Sequence, residues 1–145
     1  MPVGSFFQGA FTTALGHDEL LMEIRLPAPS GSYGSAYEML EQPASGFAIA
    51  GVAAVIGRTG AAEDALIDDV RVAVTGVGDV QYRATGVEAA LRGTKLGPAA
   101  IGAAVAGITA GVDVQGDIHA DRAYRSAMAV VMARRALERA RERLG

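Results

Sequence analysis

Two periods of hydrophobic residues meet in the first half of the chain. Ser35 to Glu41 alternates aromatic or apolar residues with polar ones, whereas Phe47 to Ile56 is almost unbroken apolar sequence rich in Val and Ile. The first pattern predicts a half-buried strand and the second a fully buried one. Between them, Gln42-Pro43-Ala44-Ser45-Gly46 supplies a proline that cannot donate to a ladder and a glycine free to take positive φ, so the chain is expected to reverse there. Val70, Val72 and Val74 then alternate with Arg71, Ala73 and Thr75, and Gly76-Val77-Gly78-Asp79 breaks the run. Residues 58–65, polar and small, read as the loop between the second and third strands. Three strands in succession, at about 35–41, 47–57 and 66–75, predict an antiparallel meander. A sheet of that size needs one face covered.

The second half supplies the cover. Thr85-Gly86-Val87-Glu88 fits a capping box, with the threonine hydroxyl on the backbone N–H three residues on and the glutamate reaching back. It opens a short helix over 85–92 that Gly93 stops. Pro98 suits the first turn of a second helix over 98–110, nearly all small and apolar and therefore expected to be buried on most sides. Asp121 caps a third helix over 121–143, in which Tyr124, Ala127, Met128, Val131 and Leu137 recur at helical spacing. Its last turns crowd Arg and Glu together as RRALERARER, a solvated or partner-facing end. Near the N-terminus, Met22, Ile24 and Leu26 alternate in a segment bounded by Asp18-Glu19 and by Pro27 and Pro29, which predicts a further strand over 19–26. The expected fold class is therefore α+β: a three-stranded antiparallel sheet packed against a three-helix layer, with an extra N-terminal strand.

Composition narrows the function. With 145 residues and 50% hydrophobic content the chain can bury a proper core. A net charge of −3 with both signs scattered gives no electrostatic footprint for nucleic acid or an anionic membrane. No apolar run approaches the roughly 20 residues that span a bilayer, and Met1 to Phe11 has neither the basic nor the apolar region of a secretory signal, so a cytoplasmic location is expected. The absence of cysteine excludes disulfides, thiol chemistry and iron–sulfur ligation by this chain.

Reactive chemistry is hard to assemble. His17 sits in a polar turn and His119 in the segment before the third helix, too far apart in sequence to suggest a zinc site; both are read as structural or solvent-facing. Gly76-Val77-Gly78 follows a strand but lacks the third glycine and the immediate helix of a pyrophosphate cradle. Asp117 and Arg125 flank the start of the third helix and can pair across its cap. No catalytic or metal-binding residue is assigned.

Five segments carry a family resemblance, in order along nearly the whole chain: SFFQGAFTTAL with DELLMEIRLP (5–27), GSAYEML with FAIAGVAAVI (34–56), VRVAVTGVGDVQYRAT (70–85), VEAALRG (87–93) and DIHADRAYRSAMAVVMARRAL (117–137). They resemble the C-terminal domain of the FAD-binding medium subunit of molybdenum hydroxylases, the family of aerobic carbon monoxide dehydrogenases and xanthine dehydrogenases. The resemblance implies that residues 1–30 are a tail of the flavin-binding domain and residues 31–145 the C-terminal domain of the medium subunit. It places Leu21 and Phe47 at the flavin as cofactor-binding residues, in a subunit that passes electrons from iron–sulfur centres toward an outside acceptor. The implied partners are the iron–sulfur and molybdopterin subunits, or a missing flavin-binding portion, together with self-association.

The hairpin departs from the family pattern. Glu38, Met39, Gln42, Pro43 and Gly46 stand in a stretch where many members carry a lysine, a basic turn residue and an aspartate, and Phe47 alone keeps the family character. FAD is implied for the full-length family, whereas this chain alone is expected to hold none tightly and to lack dehydrogenase activity. The alternative reading is a free-standing interaction or scaffold domain that has lost flavin binding.

Overall fold

The computed structural model describes residues 1–27, 31–59 and 66–144. After a helical turn at Val3–Ser5, β1 (Phe7–Gly9) and β2 (Thr12–Thr13) form a small hairpin. The body is one antiparallel sheet in the order β3 (Ser32–Glu41), β4 (Ala48–Arg58), β5 (Asp69–Thr75), β6 (Tyr82–Arg83). Helices α1 (Thr85–Leu91), α2 (Pro98–Val105) and α3 (Arg122–Glu142) complete it. The α+β arrangement expected from the patterning is present, with a short fourth strand that two residues were too few to announce.

Register follows from the apolar period. Ala36 lies opposite Ala54 and Ala54 opposite Val72, while Val52 lies opposite Val74 and Ile56 opposite Val70. All seven are buried, because side chains two apart share a face and this face looks toward the helices. Ala129, Ala133, Ala136, Leu137 and Ala140 of α3 meet it and are fully buried. Small residues on both sides let the helix come close: a methyl group at Gly34 would run into the Ala140 carbonyl. On the outer sheet face glycine has a different use. The Tyr37 and Tyr33 rings of the edge strand lie across Gly51 and Gly57 of the central strand, in space a Cβ would fill.

The helix ends show where local signals held. Asp121 Oδ1 accepts from the Tyr124 N–H at 2.7 Å, capping α3. Pro98 stands in the first turn of α2, and Gly93 ends the α1 region with φ +76°. Helix α2 stops at Val105 and continues only as turns to Gly111, earlier than the expected 110; Gly107 and Thr109 are weak helix formers, and Gly111 takes φ +75°.

Two expectations are corrected. Thr85 and Glu88 form no capping box: Ala84 is the N-cap and makes no side-chain bond. The Glu88 carboxylate turns inward instead, accepting from the Val72 N–H at 2.9 Å and Arg83 Nε at 2.6 Å. Ala84, just past β6, donates its N–H to the Val72 carbonyl at 2.8 Å, but its own carbonyl accepts from the Glu88 N–H at the start of α1, so the Val72 N–H needs another acceptor, and a buried backbone donor without one costs about 1–3 kcal/mol. The glutamate completes the ladder that the strand leaves unfinished. Residues 19–26 are likewise not a strand, since their backbone has no neighbouring strand to pair with here, and Leu20, Met22, Ile24 and Leu26 stand exposed. Residues 60–65 of the expected loop, and Pro29, lie outside the described residues.

The two kinds of glycine predict opposite outcomes. Gly34→Ala should destabilise the chain by about 1–3 kcal/mol, because the added methyl forces α3 off the sheet. Gly102→Ala, in the interior of α2 with open space around its Cα, should stabilise it by roughly 0.5–1 kcal/mol through helix propensity. Urea unfolding of the three proteins measures both signs.

Candidate functional site

The turn between β3 and β4 is wound tightly by its own polar groups. Gln42 N–H donates to the Phe47 carbonyl at 2.8 Å, and Gly46 N–H to the Gln42 carbonyl at 2.9 Å. The Gln42 side-chain oxygen accepts from Ser45 N at 2.6 Å and Ser45 Oγ at 2.8 Å. Gly46 takes φ +74°, the conformation that lets Phe47 leave the turn and enter the strand direction. Phe47 is 74% exposed, an isolated large ring on a rigid corner. Glu38, on the strand leading to it, is held by Arg139 of α3.

Leu21 is placed elsewhere. It is 54% exposed and lines an open groove of about 750 Å³ together with Phe6, Leu15, Glu19, Glu23 and Arg25. Phe47 is not part of that lining, so the groove does not join the two residues that the resemblance pairs. This N-terminal segment is tied to the sheet through the Ala10 N–H, which donates to Asp79 Oδ2 at 3.3 Å.

The groove suits an apolar ring and not a pyrophosphate. Arg25 is engaged by Glu23 at 2.7 and 3.0 Å, which holds the Glu23 carboxyl below its usual range. Glu19 accepts from Gly16 N–H at 2.7 Å. Two carboxylates line the groove, and the Arg25 guanidinium beside them is already paired with Glu23, which disfavours a diphosphate there. The Gly76 to Gly78 turn offers no cradle either: the Gly76 carbonyl is bonded to Arg125, and its Cα is pressed on the Ala48 carbonyl. The residues present therefore do not fit the phosphate half of FAD.

Below the hairpin lies a polar cluster. Arg125, 8% exposed, donates from Nη1 to the carbonyls of Ile49 (2.8 Å) and Gly76 (2.6 Å), and from Nη2 to Asp117 Oδ2 at 2.6 Å. The other Asp117 oxygen accepts from the His119 and Ala120 N–H groups at 2.9 and 3.0 Å. The Asp117–Arg125 pair expected from the helix start is thus present, but its reach to the two strand ends was invisible in sequence. Glu88 was also missed. In each case the signal available was a charged residue set among buried apolar positions. His17 and His119 are exposed. Among the described residues no group of His, Asp and Glu could hold a metal ion.

Fold and site together define an α+β domain that offers an exposed aromatic corner and a largely apolar groove. The chain belongs to the family of CO dehydrogenase flavoprotein C-terminal domains, whose model matches residues 35–140. It is 33% identical over 140 residues to the carbon monoxide dehydrogenase medium chain of Hydrogenophaga pseudoflava, covering 97% of this chain and 47% of that one. With the medium chain of Afipia carboxidovorans it shares 35% identity over 138 residues, covering 95% and 46% respectively. A solved structure of the Hydrogenophaga pseudoflava carbon monoxide dehydrogenase superposes with a TM-score of 0.87 at 34% identity, over 98% of this chain and 48% of that chain. The chain thus spans about half the length of these relatives.

The Asp117 cluster predicts a pH dependence. The two backbone donors, followed by Arg125, hold its carboxyl below the ordinary value of 3.8. A depressed folded-state value stabilises the fold above the unfolded value, and that stabilisation disappears as pH falls through the folded one. The stability difference between the wild type and Asp117→Asn should be constant from about pH 5 to 8 and shrink below about pH 4. Urea midpoints measured across that range check it.

Proposed function

We propose that this chain is the C-terminal domain of the flavoprotein medium subunit of a carbon monoxide/xanthine dehydrogenase-like molybdenum hydroxylase, in which it lines the FAD site and contributes contacts between subunits for electron transfer. Residues 31–145 are that domain and residues 1–30 a tail of the flavin-binding domain. Phe47 carries the reading: a large aromatic side chain left exposed at a turn held by several backbone and side-chain hydrogen bonds has an apolar surface to offer, uncovered by the described residues. Leu21 offers a second apolar contact. The flavin ring supplies the electron chemistry when bound, and these two residues bind and shield its apolar surface. The pyrophosphate is held outside this domain, a reading supported by the misfit of the groove. The medium-chain names of those relatives support larger and smaller companion subunits, which the family resemblance identifies as iron–sulfur and molybdopterin subunits.

The exposed N-terminal segment supports a contact to a flavin-binding portion or to a second copy. Leu20, Met22, Ile24 and Leu26 keep the period of a strand while exposing both apolar side chains and unpaired backbone, a combination that seeks a neighbouring sheet edge. Light scattering at rising concentration is expected to show self-association of the chain, and removal of residues 1–27 to abolish it. A strictly monomeric full chain with no partner recovered counts against this contact.

Titration with FAD tests the function. Two apolar contacts bury on the order of 100–150 Å² of ring, worth about 3 kcal/mol at about 25 cal/mol per Å², so affinity of the isolated chain should be millimolar or weaker. With the flavin-binding portion supplied in trans, Phe47→Ala should alter flavin reactivity while changing stability by less than about 0.5 kcal/mol, as for any exposed residue. No effect of Phe47→Ala on the assembled flavin would favour the scaffold reading instead.

A further inference from the structure

We infer that Arg125 is a positioning residue for Phe47, an inference that rests on the proposed role of Phe47 at the flavin. An exposed ring is not gripped by neighbours, so its direction is set by its backbone. That backbone is fixed on one side by the Gln42 N–H on the Phe47 carbonyl and on the other by the residues that follow, Ala48 and Ile49. Arg125 holds the second side. Its Nη1 spans the Ile49 carbonyl on β4 and the Gly76 carbonyl at the end of β5, joining two strand ends that the ladder pairs only from Gly51 and Thr75 onward.

The neighbouring groups show that this is a clamp and not a loose surface contact. Gly76 sits at φ +75° with its Cα against the Ala48 carbonyl, so the β5 exit and the β4 entry touch directly at the point the guanidinium spans. Asp117 neutralises the buried cation, and its own orientation is set by the two N–H groups of the 119–120 turn. Arginine suits the place because its planar fork addresses several acceptors at once while staying charged. Arg125 Nε is buried without a partner, so the side chain accepts an unmet donor to keep the other contacts. The cluster occupies the start of α3, the longest helix, whose packing on β3 and β4 makes it a fixed reference for the hairpin.

The test uses the full chain labelled with 4-fluorophenylalanine, in which Phe6, Phe7 and Phe11 act as internal controls beside Phe47. In Arg125→Met the Phe47 fluorine line is expected to move toward that of the fully exposed Phe11 and to narrow, while the three control lines stay in place. Exchange of the Gly46 amide should accelerate about tenfold with that of Val52 unchanged. Arg125→Lys keeps the buried charge beside Asp117 but replaces two nitrogens, one on the carbonyls and one on the carboxylate, by a single ammonium that cannot hold the two places at once with the same geometry, so it should shift Phe47 in the same direction and keeps the test readable if the methionine variant does not fold. A general loss of stability with the Phe47 line unmoved relative to the controls overturns the inference. Millimolar lumiflavin, the ring without its phosphate, separates the two levels. Perturbation of the Phe47 line in the wild type that is lost in Arg125→Lys supports both. A Phe47 line that responds to the Arg125 variants but not to lumiflavin upholds the clamp and overturns the flavin role.

Discussion

The close approach of α3 to the β3–β4 pair governs the rest of this structure. Ala36, Ala50 and Ala54 on the sheet face Ala133, Ala136 and Ala140 on the helix, all buried, and Gly34 leaves no room for a side chain beneath the last turn. Alanine gains little from burial per residue, so stabilisation comes from many short-range contacts at a distance that larger side chains would not allow. This fixes the angle and height of the helix over the sheet. Everything at the helix start, including Asp121, Arg125 and the turn before them, inherits its place from that contact.

Where regular pairing ends, buried charges take over. The ladder between β4 and β5 stops at Gly51 and Thr75, and Arg125 satisfies carbonyls on both strands just beyond it. At the other edge β6 is too short to cover Val72, and Glu88 supplies the acceptor. Both side chains answer the same requirement, that buried backbone groups find partners. Each also joins a helix to the sheet, so the polar groups orient the layers that apolar packing holds together.

The surfaces of the molecule differ in how far their own chain completes them. The body is closed, with a contiguous apolar core from β3 to α3. The N-terminal segment and Phe47 present apolar groups outward. Under the proposed function these are the faces offered to the flavin and to companion chains.

The sequence by itself determined the elements of the body and their order. Residue periods of two and of about 3.6 report which face is buried, and local signals such as Asp121, Pro98 and Gly93 act within a turn of chain. The family was legible as well, because five segments kept their order. Tertiary structure alone decided what long-range partners decide. Glu88 left its own helix end because Val72, sixteen residues away, lacked an acceptor, and Arg125 reached Ile49, 76 residues away. Residues 19–26 have the pattern of a strand and yet form none, since a strand exists only with a neighbour to receive its hydrogen bonds. That the groove beside Leu21 does not include Phe47 was equally beyond the sequence: a residue's type sets what surface it offers, but only the packed chain sets which other surface it meets.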